Sequence, residues 1–438
     1  MAEKLVPNLR FAGFNEEWAS QKFKDNLDIK SGKGFKASEY SKIGIPLLKI
    51  DNVSYGKVSW ETKDYLPREY LDKYPDLVLK ADDIVLALNR PITNNKLKIA
   101  KLTKEDEISI LYQRVGKIFV NEDSINKEFI FQLLNKEIFR FVLKNSVGSD
   151  QPFISTNQLK ELEFNVPQFE EQEKIGKFLF FINTKIELLE KKYLGYQDFK
   201  KYLMQQIFTQ KLRFNEFDDE WKTVKLSNVA EIVGGGTPNT EVEEYWNGGI
   251  KWFTPSEIGK TKYISESDRY ISEEGLKNSS AKLLPKNTIL LSSRATVGEI
   301  SIALTECSTN QGFQSLITKN TVDNEFIYYL ISTLKNEFLR RSSGSTFLEI
   351  SKNEIKKIKI NIPSLSEQKR ISSLFSSIDN KIDLLKIEHE KCLCFKKSLL
   401  QQMFNYVLIL NQYFVFVRFL IFLDYLLIFL IVFHTHNY

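Results

Sequence analysis

Cysteine and histidine are scarce, with three of each in 438 residues. Cys307, Cys392 and Cys394 are too few for a disulfide framework, and the Cys-x-Cys pair has no second ligand pair within reach of metal-binding spacing. A reduced, cytoplasmic protein without a metal site is the expectation. Catalytic signatures are missing too: there is no HExxH, no GxSxG and no catalytic-thiol pattern. The Asn/Asp-Pro-Pro-aromatic tetrapeptide that a base-amino methyltransferase would need is absent, as is a carboxylate cluster suited to a metal nuclease. The Gly-rich stretch GGGTPNT (234–240) is not followed by Lys-Ser/Thr, so it is no P-loop. MAEKLVPNLRF at the start carries no apolar leader segment, so no signal peptide is expected. Charge of one sign does not dominate either. The formal net charge is +5 and the pI about 8.7, mildly basic and suited to nucleic acid only if concentrated on one face. These absences leave a non-catalytic protein that binds something.

What is present is a repeat. LRFAGFNEEW (9–18) returns as LRFNEFDDEW (212–221). Residues 146–208 lie over 342–404 without a gap, with 24 identities in 63 positions. Weaker echoes join LKADDIVLALNR (79–90) to LPKNTILLSSR (284–294), and LYQRVGKIFV (111–120) to TNQGFQSLIT (309–318). The chain is therefore a tandem duplication.

Each copy ends in a helical stretch with apolar residues spaced alternately by four and three. The first seam is Ile175, Leu179, Ile182, Ile186 and Leu189; the second is Ile371, Phe375, Ile378, Ile382 and Leu385. Lys200 and Lys396 fall at equivalent seam positions, either snorkelling out or fixing register. Ser364-Leu-Ser-Glu367 reads as a capping box. Helices of this length need a partner for the seam, and each copy offers it to the other.

Before each helix, short apolar strands alternate with turns: IPLLKI, DIVLALN, KIFV, then TILLSS, SLIT and IKINI. Helices are expected in NKEFIFQLLNKEIFRFVL and in DNEFIYYLISTLKNEF. An α+β class follows, with two pseudo-repeated mixed domains and two long helices. Candidate contact residues sit where strands end in loops. Arg90, preceded by Asn89, sits at a point equivalent to Arg294, which Thr296 follows; Gln113 with Arg114 and Asn310 with Gln311 occupy a second equivalent point; Gly148-Ser149 and Gly344-Ser345 make a third; and Thr237 lies in the Gly-rich loop. Arg pairs bidentately with guanine and Asn or Gln with adenine, while Gly-Ser loops allow phosphate approach. Each is also compatible with an ordinary surface ion pair or turn. The Gly-rich loop could approach a phosphate or simply turn the chain.

These motifs, LRF-x2-F-x2-EW, GGTP, Ser-Arg-x3-Gly, NQGF, the Gly-Ser loop and IPSLSEQKRISSLFSSIDNKIDLL…FKKSLLQQMF, resemble the specificity subunit of type I restriction–modification systems over roughly 9–404. The first copy departs from the pattern, with SGKGFK for GGGTP and NRPITNN for Arg-x3-Gly. The resemblance implies target-recognition domains at 1–165 and 209–361, and spacer helices at 166–208 and 362–404 packed as an antiparallel intramolecular coiled coil. It implies a bipartite double-stranded DNA target, two methyltransferase (M) subunits and restriction/translocase (R) subunits as partners. No cofactor is implied on this chain, S-adenosylmethionine residing on the methyltransferase. Two alternatives remain open on the residues alone: a coiled-coil interaction scaffold, or a membrane tether through the apolar tail 405–438. That tail contains FLIFLDYLLIFLIVF with Arg418 and Asp424 nearby. It reads as a shifted or read-through end, and membrane insertion is not the expectation.

Overall fold

A computed structural model describes residues 7–145, 152–344 and 348–404. Gly148, Ser149, Ser345 and the tail 405–438 lie outside them. The chain divides into two units, the first gathering Met1–Leu188 and His389–Tyr438, the second Leu189–Glu388.

In the first unit the runs DIVLALN and KIFV become Ile84–Ala87 and Val115–Val120. They lie centrally in an antiparallel sheet ordered Leu27–Ser31, Val115–Val120, Ile84–Ala87, Ile99–Lys101. Ile84–Ala87 is buried at every position, which is why it reads as a continuous apolar run. IPLLKI supplies Ile45–Leu48 to a second, mixed sheet with Tyr65–Leu66, Ser109–Leu111 and Val78–Leu79. Helix Lys127–Asn145 lays Phe129, Ile130, Leu133, Leu134 and Ile138 into the main core.

The second unit repeats this frame. Its main sheet runs Ala230–Gly234, Gln314–Thr318, Ile289–Leu291, Ile300–Ala303, Tyr263–Ile264. A three-stranded sheet of Arg269–Ile271, Trp246–Phe253 and Ser308–Thr309 stands where the second sheet stands in the first unit. The helix expected over DNEFIYYLISTLKNEF is broken into Asn324–Ser332 and Lys335–Arg341. At the break, the Ser332 and Thr333 hydroxyls donate to the carbonyls of Tyr329 and Leu330.

Two helices of 40 residues, Phe169–Phe208 and Leu365–Phe404, close each unit. They pair antiparallel. In the first unit Ile175, Leu179, Ile182 and Ile186 share a core with Leu399, Met403 and Phe404. In the second, Leu203 and Ile207 meet Ile371, Phe375 and Ile378. Leu189 and Leu385 are buried and Ile382 is partly buried. The seam does not close on the other helix alone. Ile175 and Leu179, like Ile371 and Phe375, sink into the core of a mixed domain, because the helix pair is one wall of that core.

Lys200 does not snorkel. Its Nζ lies 2.5 Å from Asp379 and over the Tyr329 ring. The residue equivalent to Asp379 in the first unit is Asn183, and Lys396 there has its pKa lowered by burial, opposed only by the field of Glu187.

The twice-written ten-residue phrase is a clamp. Arg10 donates from Nε and one Nη to both carboxylate oxygens of Glu171, each at 2.7 Å, and Arg213 does the same to Glu367 at 2.8 Å. Glu171 and Glu367 are fully buried. The adjacent glutamines cap the domain helices: Gln172 accepts from the Asn126 N–H at 3.0 Å and Gln368 from the Asp323 N–H at 2.9 Å. Phe11 packs edge-on against Phe178, Trp18 against Phe129, and Trp221 against Phe326. The capping box is therefore only half formed. Ser364 Oγ accepts from the Glu367 N–H at 3.4 Å, but the Glu367 carboxylate is committed to Arg213. One further bond is shared: the Leu212 N–H donates to the Gln206 carbonyl at 3.2 Å, and the Leu9 N–H to that of Gln402 at 3.1 Å. Gln206 and Gln402 are repeat equivalents, so the N-terminal segment meets the end of the second helix as residue 212 meets the end of the first.

Candidate functional site

Matching backbone bonds fix which residues correspond at the strand ends. The Leu88 N–H donates to Arg114 O at 2.8 Å and the Ser293 N–H to Gly312 O at 2.7 Å. Leu88 O accepts from the Ile154 N–H, and Ser293 O from the Ile350 N–H. Asn89 then bridges to Phe153 as Arg294 bridges to Glu349. So Arg294 corresponds to Asn89, and Arg90 to Ala295, both of the latter with left-handed backbone (φ 46° and 56°). Pairing Arg90 with Arg294 is off by one residue. The shared arginine draws the two sequences together, while the backbone puts it on opposite sides of a turn.

In the second unit the candidates converge at one end of the main sheet. Thr237 Oγ1 donates to Gln311 Oε1 at 2.5 Å. Asn310 Oδ1 accepts from the Gly312 N–H at 2.8 Å, and the Asn310 N–H donates to Phe253 O. The Thr296 hydroxyl lies 3.1 Å from Ser292 Oγ. Arg294 is exposed and ion-paired with Glu349 at 2.8 Å. A surface pair of this kind contributes about 0–1 kcal/mol and yields readily to another acceptor. Gly344 has φ 121°, and its neighbour Ser343 bridges to Glu349. The second and third glycines of GGGTP are required by close approach: a Cβ on Gly235 would collide with the Asn310 carbonyl, and one on Gly236 with Ser280 and Ala281.

In the first unit SGKGFK occupies the GGGTP place. The Lys33 N–H bonds to Leu111 O as that of Gly236 bonds to Thr309 O. Gln113, the counterpart of Gln311, lies against Gly34, and Arg114 is exposed at φ 67°. Around them stand residues that carry no repeat signal. Lys33 sits over the Tyr74 ring at 4.7 Å, and Lys49 over Tyr40 at 4.9 Å and Tyr112 at 5.3 Å. Burial works against the charge of Lys49, but Asp64 and Tyr40 more than compensate and hold its pKa above the ordinary lysine value. Cation–aromatic surfaces of this sort suit phosphates and bases. The only sequence hint was Lys33, inside the quoted loop.

Among the described residues no group of His, Cys, Asp and Glu could hold a metal ion, and no helix is long and apolar enough to cross a membrane.

Residues 15–194 and 218–392 match the family described as the type I restriction modification DNA specificity domain. The MjaVIII specificity subunit of Methanocaldococcus jannaschii is 46% identical over 199 residues, 45% of this chain and 47% of that protein. The match thus spans about half of that relative's length. The putative MjaX specificity subunit of the same organism is 27% identical over 409 residues, covering 88% of this chain and 92% of that protein. Of solved structures, the type I restriction-modification S subunit from M. genitalium shares the fold, with TM-score 0.60 and 16% identity over 92% of this chain and 100% of that one. Two family domains, each bolted to the helix pair by the same Arg–Glu clamp, leave one assignment: the chain belongs to the type I restriction modification DNA specificity family.

Proposed function

We propose that this chain is the DNA-specificity subunit of a type I restriction–modification complex, reading a bipartite double-stranded target with one unit per half-site. The observation that carries this reading is the duplication of a common frame with different tips. The Arg–Glu clamp, the glutamine cap and the helix pair recur in both units, while the loops around Gln113 and Gln311 carry different side chains. A pair of readers gains affinity through effective concentration only if their spacing is fixed, a role this proposal gives to the two helices of 40 residues. The M and R subunits are the expected partners, and S-adenosylmethionine is expected on the M subunit. Exposed apolar side chains on the helices, Phe180, Phe181 and Leu188 in the first unit and Leu194, Tyr202 and Leu384 in the second, favour docking of such partners. The chain's own part is recognition and positioning.

The test is binding of the chain, assembled with its methyltransferase subunits, to duplexes carrying the methylated motif. Log affinity should fall linearly with log salt concentration, as phosphate contacts require. Affinity independent of salt and of sequence would instead support a protein-interaction scaffold.

A further inference from the structure

Arg294 is ion-paired with Glu349; a second guanidinium of the same unit is held differently. Arg269, at the start of strand Arg269–Ile271, stacks its guanidinium carbon 3.8 Å from the Trp246 ring centroid and 5.2 Å from that of Trp252. The two indoles meet edge to face at 5.1 Å. Arg269 is exposed, and among the described residues no carboxylate forms an ion pair with it. The platform is fixed from below. Trp252 Nε1 donates to Gly236 O at 2.9 Å, one residue from Thr237 and its bond to Gln311, and Trp246 Nε1 donates to Asn239 O at 3.1 Å. A guanidinium stacked on indole keeps its donor edge free and loses little entropy when that edge is used. The cleft of about 540 Å³ beside it is also lined by Glu243, Asn247 and Asp268.

We propose that Arg269 is a specificity-determining residue of the second unit, reading the major-groove edge of a G·C pair; this rests on the DNA-recognition reading above. Guanine presents two acceptors, O6 and N7, to a guanidinium fork, and its paired cytosine presents the N4 donor to a carboxylate. Arg269 with Glu243 and Asp268 offers that complement. The same two carboxylates repel phosphate, so a backbone contact does not suit the cleft.

The test uses the full chain assembled with its methyltransferase subunits. Arg269→Ala, Arg269→Gln and Arg269→Lys are compared with wild type on duplexes in which each position of each half-site is varied, and by mapping methylated sites. Wild type must show salt-dependent, sequence-specific binding; if it does not, the DNA-recognition reading fails and this inference with it. Given that binding, each variant should lose about 10- to 100-fold affinity for the cognate duplex and relax a guanine requirement at one position of one half-site. Lysine should not restore it, since it lacks the fork. Thermal unfolding should be unchanged for Arg269→Lys and Arg269→Gln. An unchanged motif and affinity would overturn the proposal. So would a uniform loss over all sequences with a salt slope reduced by about one, the signature of a phosphate contact.

Discussion

The two units differ most where they resemble each other least in sequence, and the difference separates frame from tip. Strand pairing aligns Ile45–Leu66 with Ile250–Ile271, which puts Asp64 in the first unit at the place of Arg269 in the second. Asp64 is tied to Lys49, whereas Arg269 rests on tryptophans. One tip presents lysines over tyrosines, the other an arginine over indoles, on sheets whose shared strands run in the same order. What the copies share holds the tips in place; what they do not share is what each tip offers to a ligand.

The clamp is where breaking the comparison costs most. Arg10→Ala should leave Glu171 buried without its bidentate partner, and Arg213→Ala should do the same to Glu367; each should cost on the order of 3–5 kcal/mol. Chemical unfolding followed by probes in each unit should show the loss in the mutated unit first. Equal loss in both units would mean that the clamps do not belong to separate units.

The seam lysines should respond with opposite signs. Lys200→Met leaves Asp379 with the Tyr329 hydroxyl but without its cation and should destabilise by roughly 1–3 kcal/mol. Lys396→Met removes a buried charge without a bonded carboxylate and should stabilise by up to about 1 kcal/mol at neutral pH. The sign of the pH effect follows from the lowered pKa of Lys396. The folded state releases the proton more readily than the unfolded one, whose value is near 10.5. Stability therefore rises with pH between the two values and falls as pH drops through the folded one. Lys396→Met should abolish that rise. Thermal unfolding of both variants from neutral to alkaline pH measures both effects.

A smaller contrast lies mid-helix. Gly195 has open space around its Cα, and its counterpart is Lys391. Gly195→Ala should stabilise by about 0.5–1 kcal/mol through helix propensity alone. A loss of stability would point to a partner surface or a bend at this position.

The spacer has its own test. Phe208 packs at 5.7 Å from Phe326 and 5.9 Å from Phe375 in the second unit's core, so an insertion beside it would disturb a recognition domain. Matched insertions of one heptad after Leu188 and after Glu388, the unit boundaries, avoid both cores. They should lengthen the spacer between half-sites and leave each half-site intact.

Much of this frame was legible because long helices depend on local periodicity that the repeat preserves. Ile175 through Leu189 and the aromatics of the ten-residue phrase recur in the second copy. The tips were harder. Arg90 and Arg294 share an identity, yet a turn residue in left-handed backbone shifts one against the other, and only backbone bonds reveal it. Glu367 spelled a capping box, but its carboxylate is taken by an arginine 154 residues away in sequence, a partner no local pattern shows. Arg269 belongs to a segment with no visible echo in the first copy, and its platform is assembled from two tryptophans on another strand.

The central claim is that each unit reads one half of the target. Its most direct test is a genome-wide map of methylated sites for the assembled complex, comparing wild type with a Thr237→Ala, Gln311→Ala double variant confined to the second unit's tip. The account predicts that one half-site is altered while the other half-site and the spacer length stay unchanged. Simultaneous change in both half-sites, or a changed spacer with both half-sites intact, would contradict it.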